Sequence, residues 1–171
     1  LDRKNPPKEV AGLFIGKAFY YSWAIIIPLL VVNVPWWQFA IGFLVMNLVA
    51  GTILGVVFQL AHVVEGITYP TPDAAGAMGS AWAAHEMETT SDFGPRNWLL
   101  CWYVGGLNFQ VEHHLFPKVC SIHYPAISGI VKETALAHGL PYNQHETLRA
   151  AMASHYRSLK RLSLQPLAAA A

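Results

Sequence analysis

Charge is what this sequence has least of. Asp, Glu, Lys and Arg make up 12% of its 171 residues, against about 25% in ordinary soluble chains. None of the four occurs between Ala18 and Val64. A run of that length with no charged side excludes a solvated domain surface there, because a soluble helix needs a polar face. The formal net charge of +1 leaves no basic stripe of the kind nucleic acid requires, so no nucleic-acid partner is expected. Cysteine is scarce too. Cys101 and Cys120 lack the spacing of a metal or redox motif, and no disulfide framework is expected. Internal repeats and a second soluble domain are also missing.

What the chain does have is apolar length. Hydrophobic residues reach 54% and the mean hydropathy is +0.33, values that point to a membrane protein. The uncharged run is too long for one crossing, and it breaks at Asn33-Val34-Pro35, followed by the interface-seeking pair Trp36-Trp37. Two spans are expected, about Val10 to Val32 and about Trp36 to Val64. A crossing takes about 20 residues at about 1.5 Å each, so a start near Trp37 leaves the hydrocarbon near Val56 or Val57 and puts His62 roughly 8 Å beyond it. Arg3, Lys4, Lys8 and Lys17 precede the hairpin and its connection carries no charge, so both ends are expected in the cytosol. Gly51 and Gly55 form a small-xxx-small pair suited to close helix approach.

After Gly66 the composition changes. Tyr69 to Asp73 and Gly76 to Ser80 are turn material. A short helix is expected from Trp82 to Glu88, and an interfacial element from Trp98 to Phe109. A helix carrying Ala126, Ile127, Ile130, Val131 and Thr134 on one side is expected to close at Gly139 and stop at Pro141. Asn143 with Glu146 three residues on has capping-box spacing for a last helix, whose face is read as Leu148, Ala151, Met152, His155, Leu159 and Leu162. Gln165 to Ala171 reads as a tail. The fold class expected is therefore all-α: an integral membrane helical hairpin over residues 1–66, then a cytosolic helical cap over residues 67–171.

The chemistry-bearing stretch is Gly105 to Pro117, G-G-L-N-F-Q-V-E-H-H-L-F-P. If Asn108 to Phe116 is helical, Gln110 lies about 60° from His113 and about 40° from His114, so one face carries an amide and two imidazoles. Glu112 points away from that face. Asn108 is open between a helix cap and a site residue. Q-V-E-H-H-L-F-P, preceded by G-G-L-N-F and Asn97-Trp98, resembles the third histidine box of the membrane fatty acid desaturases, in the variant where Gln replaces the first His. That variant is found in the front-end desaturases and their bacterial acyl-CoA and acyl-lipid relatives. F-Q-L-A-H (Phe58 to His62), Trp82 to Phe93 and H-G-L-P-Y (His138 to Tyr142) follow in the family's order.

The resemblance implies oxygen-dependent desaturation of a fatty acyl chain at two non-haem iron ions, with O₂ as co-substrate. It implies ligand roles for His113 and His114. Read alone, His62 is an interfacial histidine; the family's helix-end ligand makes it a third candidate, with Glu65 one turn on as acceptor for its ring N–H. Gln110 stands where other desaturases have a ligating His, and is expected to orient a neighbouring group rather than bind iron. Implied partners are a fatty acyl-CoA or acyl-lipid substrate, a cytochrome b5-type or ferredoxin electron donor, and the bilayer of a bacterial inner membrane or endoplasmic reticulum. The family's earlier boxes, H-x-x-x-H and H-x-x-H-H, do not occur among the eight histidines. The chain thus reads as the C-terminal part of a desaturase, inactive without its upstream segment. A hydroxylase or acetylenase on the same scaffold, and a membrane-anchored fragment that binds a partner, are the alternative readings.

Overall fold

The computed structural model describes residues 6–164 and is mostly helical. Arg3 and Lys4, used above for orientation, and the tail from Gln165 lie outside the described residues. Backbone contacts divide the chain into two compact units, Leu1–Gly51 and Thr52–Ala171. The last turns of the second long helix belong with the second unit.

In the first unit, α1 (Pro7–Tyr21) runs through a wide π turn (Ser22–Ile26) into α2 (Ile27–Val31). Pro28 lies just beyond that turn and has no N–H to give to a preceding carbonyl, a frequent cause of such local irregularity. The whole stretch Pro7–Val31 has mean hydropathy 1.6. After Pro35, α3 (Trp36–His62) begins, with mean hydropathy 2.3 and no buried residue in its most apolar part. Large apolar side chains such as Ile41, Leu44 and Leu48 are exposed around it, the pattern of a helix whose surroundings are themselves apolar. At 27 residues it is about 40 Å long, enough to cross a bilayer.

Burial starts where α3 enters the second unit. Val57, Leu60 and Ala61 pack with Phe93 and Ala151. A second cluster joins Met87, Val111, Val131 and Ala135. The elements that build these clusters are α4 (Trp82–Thr89), β1 (Ser91–Phe93), α5 (Trp98–Tyr103), α6 (Gln110–Leu115), α7 (Tyr124–Ala137), β2 (Asn143–His145) and α8 (Leu148–Ser163). A single 3₁₀ turn, Ser121–His123, precedes α7.

The two strands pair in parallel, Ser91 with Asn143 and Phe93 with His145, which departs from the all-α expectation. The same pairing corrects the cap expected at Asn143. That residue is extended, its side-chain amide donates to the carbonyls of Met87 and Thr90, and Thr147 caps α8 by accepting from the Ala150 N–H at 3.1 Å. The α8 face differs too. Ala151, Ser154 and Ser158 are buried while Met152 and Leu159 are exposed, because small residues are what the neighbouring backbone admits: the Ser154 hydroxyl accepts from the Glu65 N–H at 2.8 Å. On α7 the buried residues are Tyr124, Val131 and Ala135, and Ile130, Ala126 and Thr134 of the expected face are exposed. Gly139, at φ +69°, closes α7 as expected, with the Leu140 N–H returning to the Ala135 carbonyl.

Candidate metal centre

The histidine box enters the second unit through a tight turn. After α5 the chain turns at Gly105-Gly106, where the Gly106 N–H returns to the Cys101 carbonyl at 2.8 Å. Gly106 has φ +83°, and a Cβ there would come 2.7 Å from the Ser121 Cβ, so only glycine fits. Asn108 and Phe109 follow, buried, in a turn closed by the Phe109 N–H on the Gly106 carbonyl at 3.0 Å, and the Asn108 carbonyl accepts from the Phe93 N–H at 3.0 Å. α6 then starts under a carboxylate, since Asp92 Oδ1 accepts from the Val111 N–H at 2.9 Å. Asn108 is therefore not the cap. Phe109 holds that position without a side-chain bond, and the Asn108 amide is buried with no partner among the described residues.

Three imidazoles converge from two helices. The rings of His62, at the end of α3, and His114 lie 5.0 Å apart, and those of His113 and His114 lie 5.9 Å apart. Each ring engages its Nδ1. His114 Nδ1–H donates to Glu86 Oε2 at 2.6 Å, His62 Nδ1 faces the Thr89 carbonyl at 3.4 Å, and His113 Nδ1 faces the Tyr124 hydroxyl at 3.4 Å. With Nδ1 acting as donor to a carbonyl or a carboxylate, the neutral tautomer leaves Nε2 with its lone pair free. No Nε2 of the three has a hydrogen-bond partner among the described residues. Burial, and then the neighbouring His114, lower the His113 pKa, which favours the neutral form a metal needs.

Gln110 is 2% exposed and its side-chain oxygen has no partner among the described residues. Glu65 is placed elsewhere than expected. Its carboxylate meets Arg157 Nη2 at 2.7 Å, and the atom facing the His62 ring is the Thr89 carbonyl. Glu112 is wholly buried on the opposite side of α6. There the Tyr142 hydroxyl lies 2.7 Å from Asp92 Oδ2 and 2.9 Å from Glu112 Oε1. A phenol has one proton to donate, so the two carboxyls hold one more between them. Burial raises both their pKa values, and the Glu112 charge raises that of Asp92 further. Glu86, Asp92, Tyr124 and Tyr142 were not singled out from sequence. No local pattern marks them, since each meets its partner at a sequence separation of 11 or more.

Known proteins agree with the motif. The family model described as "Fatty acid desaturase" matches residues 2–146. The chain belongs to the fatty acid desaturase family. Among curated desaturases, it is 40% identical over 158 residues to the sn-1 linoleoyl-lipid 6-desaturase of Arthrospira platensis, covering 92% of this chain and 42% of that one. It is 38% identical over 161 residues to the acyl-lipid (8-3)-desaturase of Physcomitrium patens, covering 94% of this chain and 33% of the relative. The sn-1 linoleoyl-lipid 6-desaturase of Synechocystis is 38% identical over 164 residues, with 93% and 45% covered. This desaturase chain thus spans less than half the length of each. No solved structure matches it.

Among the described residues, no group of three His, Cys, Asp or Glu side chains forms a closed metal site. The three histidines instead form an open set with free ring nitrogens, and on the same helix as His113 and His114 the buried Gln110 amide oxygen has no partner among the described residues. The donor chemistry fits iron, for which imidazole is a good ligand.

Proposed function

We infer that this chain is the C-terminal part of a di-iron fatty acyl desaturase, contributing His62, His113 and His114 as ligands through Nε2. The observation that carries this reading is the shared arrangement of the three rings, each with Nδ1 engaged and Nε2 free, on helices whose family match is to desaturases. Removing two hydrogens from an unactivated chain is beyond side-chain acids and bases, and two iron ions with O₂ would supply the oxidising power. The residues of this chain hold and orient. Glu86 fixes the tautomer and plane of His114, as carboxylates commonly do for ligating histidines. The Thr89 carbonyl does the same for His62. The buried Gln110 amide, whose oxygen has no partner among the described residues, would act as an acceptor that orients a neighbouring group. Asp92, Tyr142 and Glu112 hold α6 from behind.

The remaining ligands would come from an upstream segment of the protein, and the electrons from a cytochrome b5-type or ferredoxin partner. The relatives named as acyl-lipid and linoleoyl-lipid desaturases support a substrate whose acyl chain is esterified in a membrane lipid. α1–α2 and α3 would cross the bilayer as a hairpin, and Lys8 and Lys17 would favour the cytosol for both its ends.

The test is made on the complete enzyme, purified with its upstream segment. Iron should be bound, and lipid-linked acyl chains should be desaturated. His62→Ala should remove iron and activity as severely as His113→Ala, while the exposed His123→Ala leaves both in place. Full iron and turnover in His62→Ala would exclude His62 as a ligand.

A further inference from the structure

We propose that Ser154 and His155 of α8 are positioning residues for the metal centre: they clamp the backbone just past α3 and so hold His62 in place. The inference rests on reading His62 as a ligand. His62 is the last residue of α3, so no further helical turn holds its backbone. Helix ends fray unless their last polar groups find partners. Here the partners come from a distant helix. His155 Nδ1–H donates to the Val63 carbonyl at 2.6 Å, and the wholly buried Ser154 hydroxyl accepts from the Glu65 N–H at 2.8 Å. Both anchors fall within three residues of His62.

The spacing of small residues on α8 makes this grip possible. Ala151, Ser154, His155 and Ser158 fall at i, i+3, i+4 and i+7, one face of a helix. Ala151 packs with Val57, Leu60 and Ala61 in the last turns of α3, and a side chain that small lets α8 come close enough for a serine hydroxyl to reach backbone. Distances then rank the contacts around His62. Its ring meets the Thr89 carbonyl at 3.4 Å, and its own carbonyl accepts from the Tyr69 hydroxyl at 3.2 Å, both longer than the two bonds from α8. α4 therefore orients the ring, while α8 fixes the backbone that carries it. Arg157 adds an ion pair to Glu65, but the two side chains are 57% and 43% exposed, and such pairs contribute little. A hydrogen bond of ordinary net strength favours one arrangement by about 2- to 10-fold. Two of them are enough for the change of about 10- to 100-fold in metal affinity that partners behind a ligand commonly produce.

The test uses the complete enzyme with its upstream segment, loaded with Fe(II) under argon. Iron affinity is read by competition with a chelator, and the access of each histidine by carbethoxylation and mass spectrometry, since a metal-bound ring nitrogen does not react. His155→Leu should weaken iron binding about 2- to 10-fold, and Ser154→Ala with His155→Leu about 10- to 100-fold. In both, His62 should become reactive in the presence of iron while His113 and His114 stay protected. His155→Asn, whose side-chain N–H sits where the Nδ1–H does, should restore the parent values. Tyr156→Ala, at an exposed position of the same helix, should match the parent. Parent affinity and protection in the double variant overturn the clamp. So does equal loss of protection at all three histidines, the result expected if α8 only closes the fold. His155→Asn behaving like His155→Leu overturns the role given to the Nδ1–H. A parent enzyme in which iron protects His113 and His114 but not His62 overturns instead the ligand reading on which the clamp rests.

Discussion

Tyr142→Phe removes one oxygen from a buried arrangement that has two carboxyl groups and, among the described residues, no cation within hydrogen-bonding distance. The ring stays, and with it the packing on the cluster of Met87, Val111, Val131 and Ala135 and the Lys132 ammonium 5.6 Å from its centre. What is lost is a hydroxyl lying 2.7 Å from Asp92 and 2.9 Å from Glu112. One of those bonds engages a charged carboxylate, about 1.5 to 3 kcal/mol, and the other a protonated one, about 0.5 to 1.5 kcal/mol. Glu112 Oε2 already lacks a partner among the described residues, so the sum belongs near about 3 kcal/mol. At about 3 to 6 °C per kcal/mol for a unit of this size, Tm should fall by about 10 to 15 °C, followed by tryptophan fluorescence in detergent. The pH dependence has a defined sign. Burial raises both carboxyl pKa values, so the folded chain keeps a proton that the unfolded chain releases. The associated stability is present below the ordinary carboxyl range and is lost as pH rises through the raised values. The Tyr142 hydroxyl counteracts that rise, and without it the loss should be larger at about pH 8 than at about pH 5. A Tm change under about 2 °C, or an equal change at both pH values, would refute the account.

Other consequences are as specific. Asp92→Asn keeps an acceptor for the Val111 N–H and supplies a permanent donor to Tyr142, so stability at neutral pH should hold or rise and its decline with pH should flatten, measured in the same melts. Glu86→Ala in the complete enzyme should lower iron affinity about 10- to 100-fold by removing the partner of His114, with Glu86→Gln recovering part of it in a metal-competition titration. Gly106→Ala should cost more than about 1 kcal/mol, because the new Cβ meets Ser121 and the positive φ is strained, and a melt of the purified variant within error of the parent would exclude that.

The parts of this molecule legible in its sequence are those fixed by local pattern. The uncharged run from Ala18 to Val64 marks α1–α2 and α3, the stretch Q-V-E-H-H-L-F-P marks α6, and Gly139 marks the end of α7. What sequence did not reveal depends on which distant segments meet. Asn143 and Glu146 have valid capping-box spacing, but β1 draws residues 143 to 145 into an extended pairing and Thr147, which also suits a cap, takes over. Periodicity finds a face on α8 but cannot tell that Ser154 and Ser158 are buried, since that follows from the Glu65 N–H arriving at Ser154. Glu65 looked like the partner of His62 because it is one turn away in sequence. The chain turns after α3, and Arg157 from α8 engages the carboxylate instead.

α4 emerges as the element that relates the two halves of the site. Its Glu86 holds His114 on α6, and its Thr89 carbonyl faces His62 on α3. Positions 86 and 89 are three apart, on one face of the helix. Met87, between them, is buried against Val111 of α6, which fixes how far α4 stands from the box. The distance between His62 and His114 is thus set by a third helix that carries no expected ligand, rather than by direct packing of α3 on α6 alone. A change in α4 should therefore disturb two imidazoles at once. On that ground Glu86 and Met87 matter to the site more than their position outside the histidine box suggests.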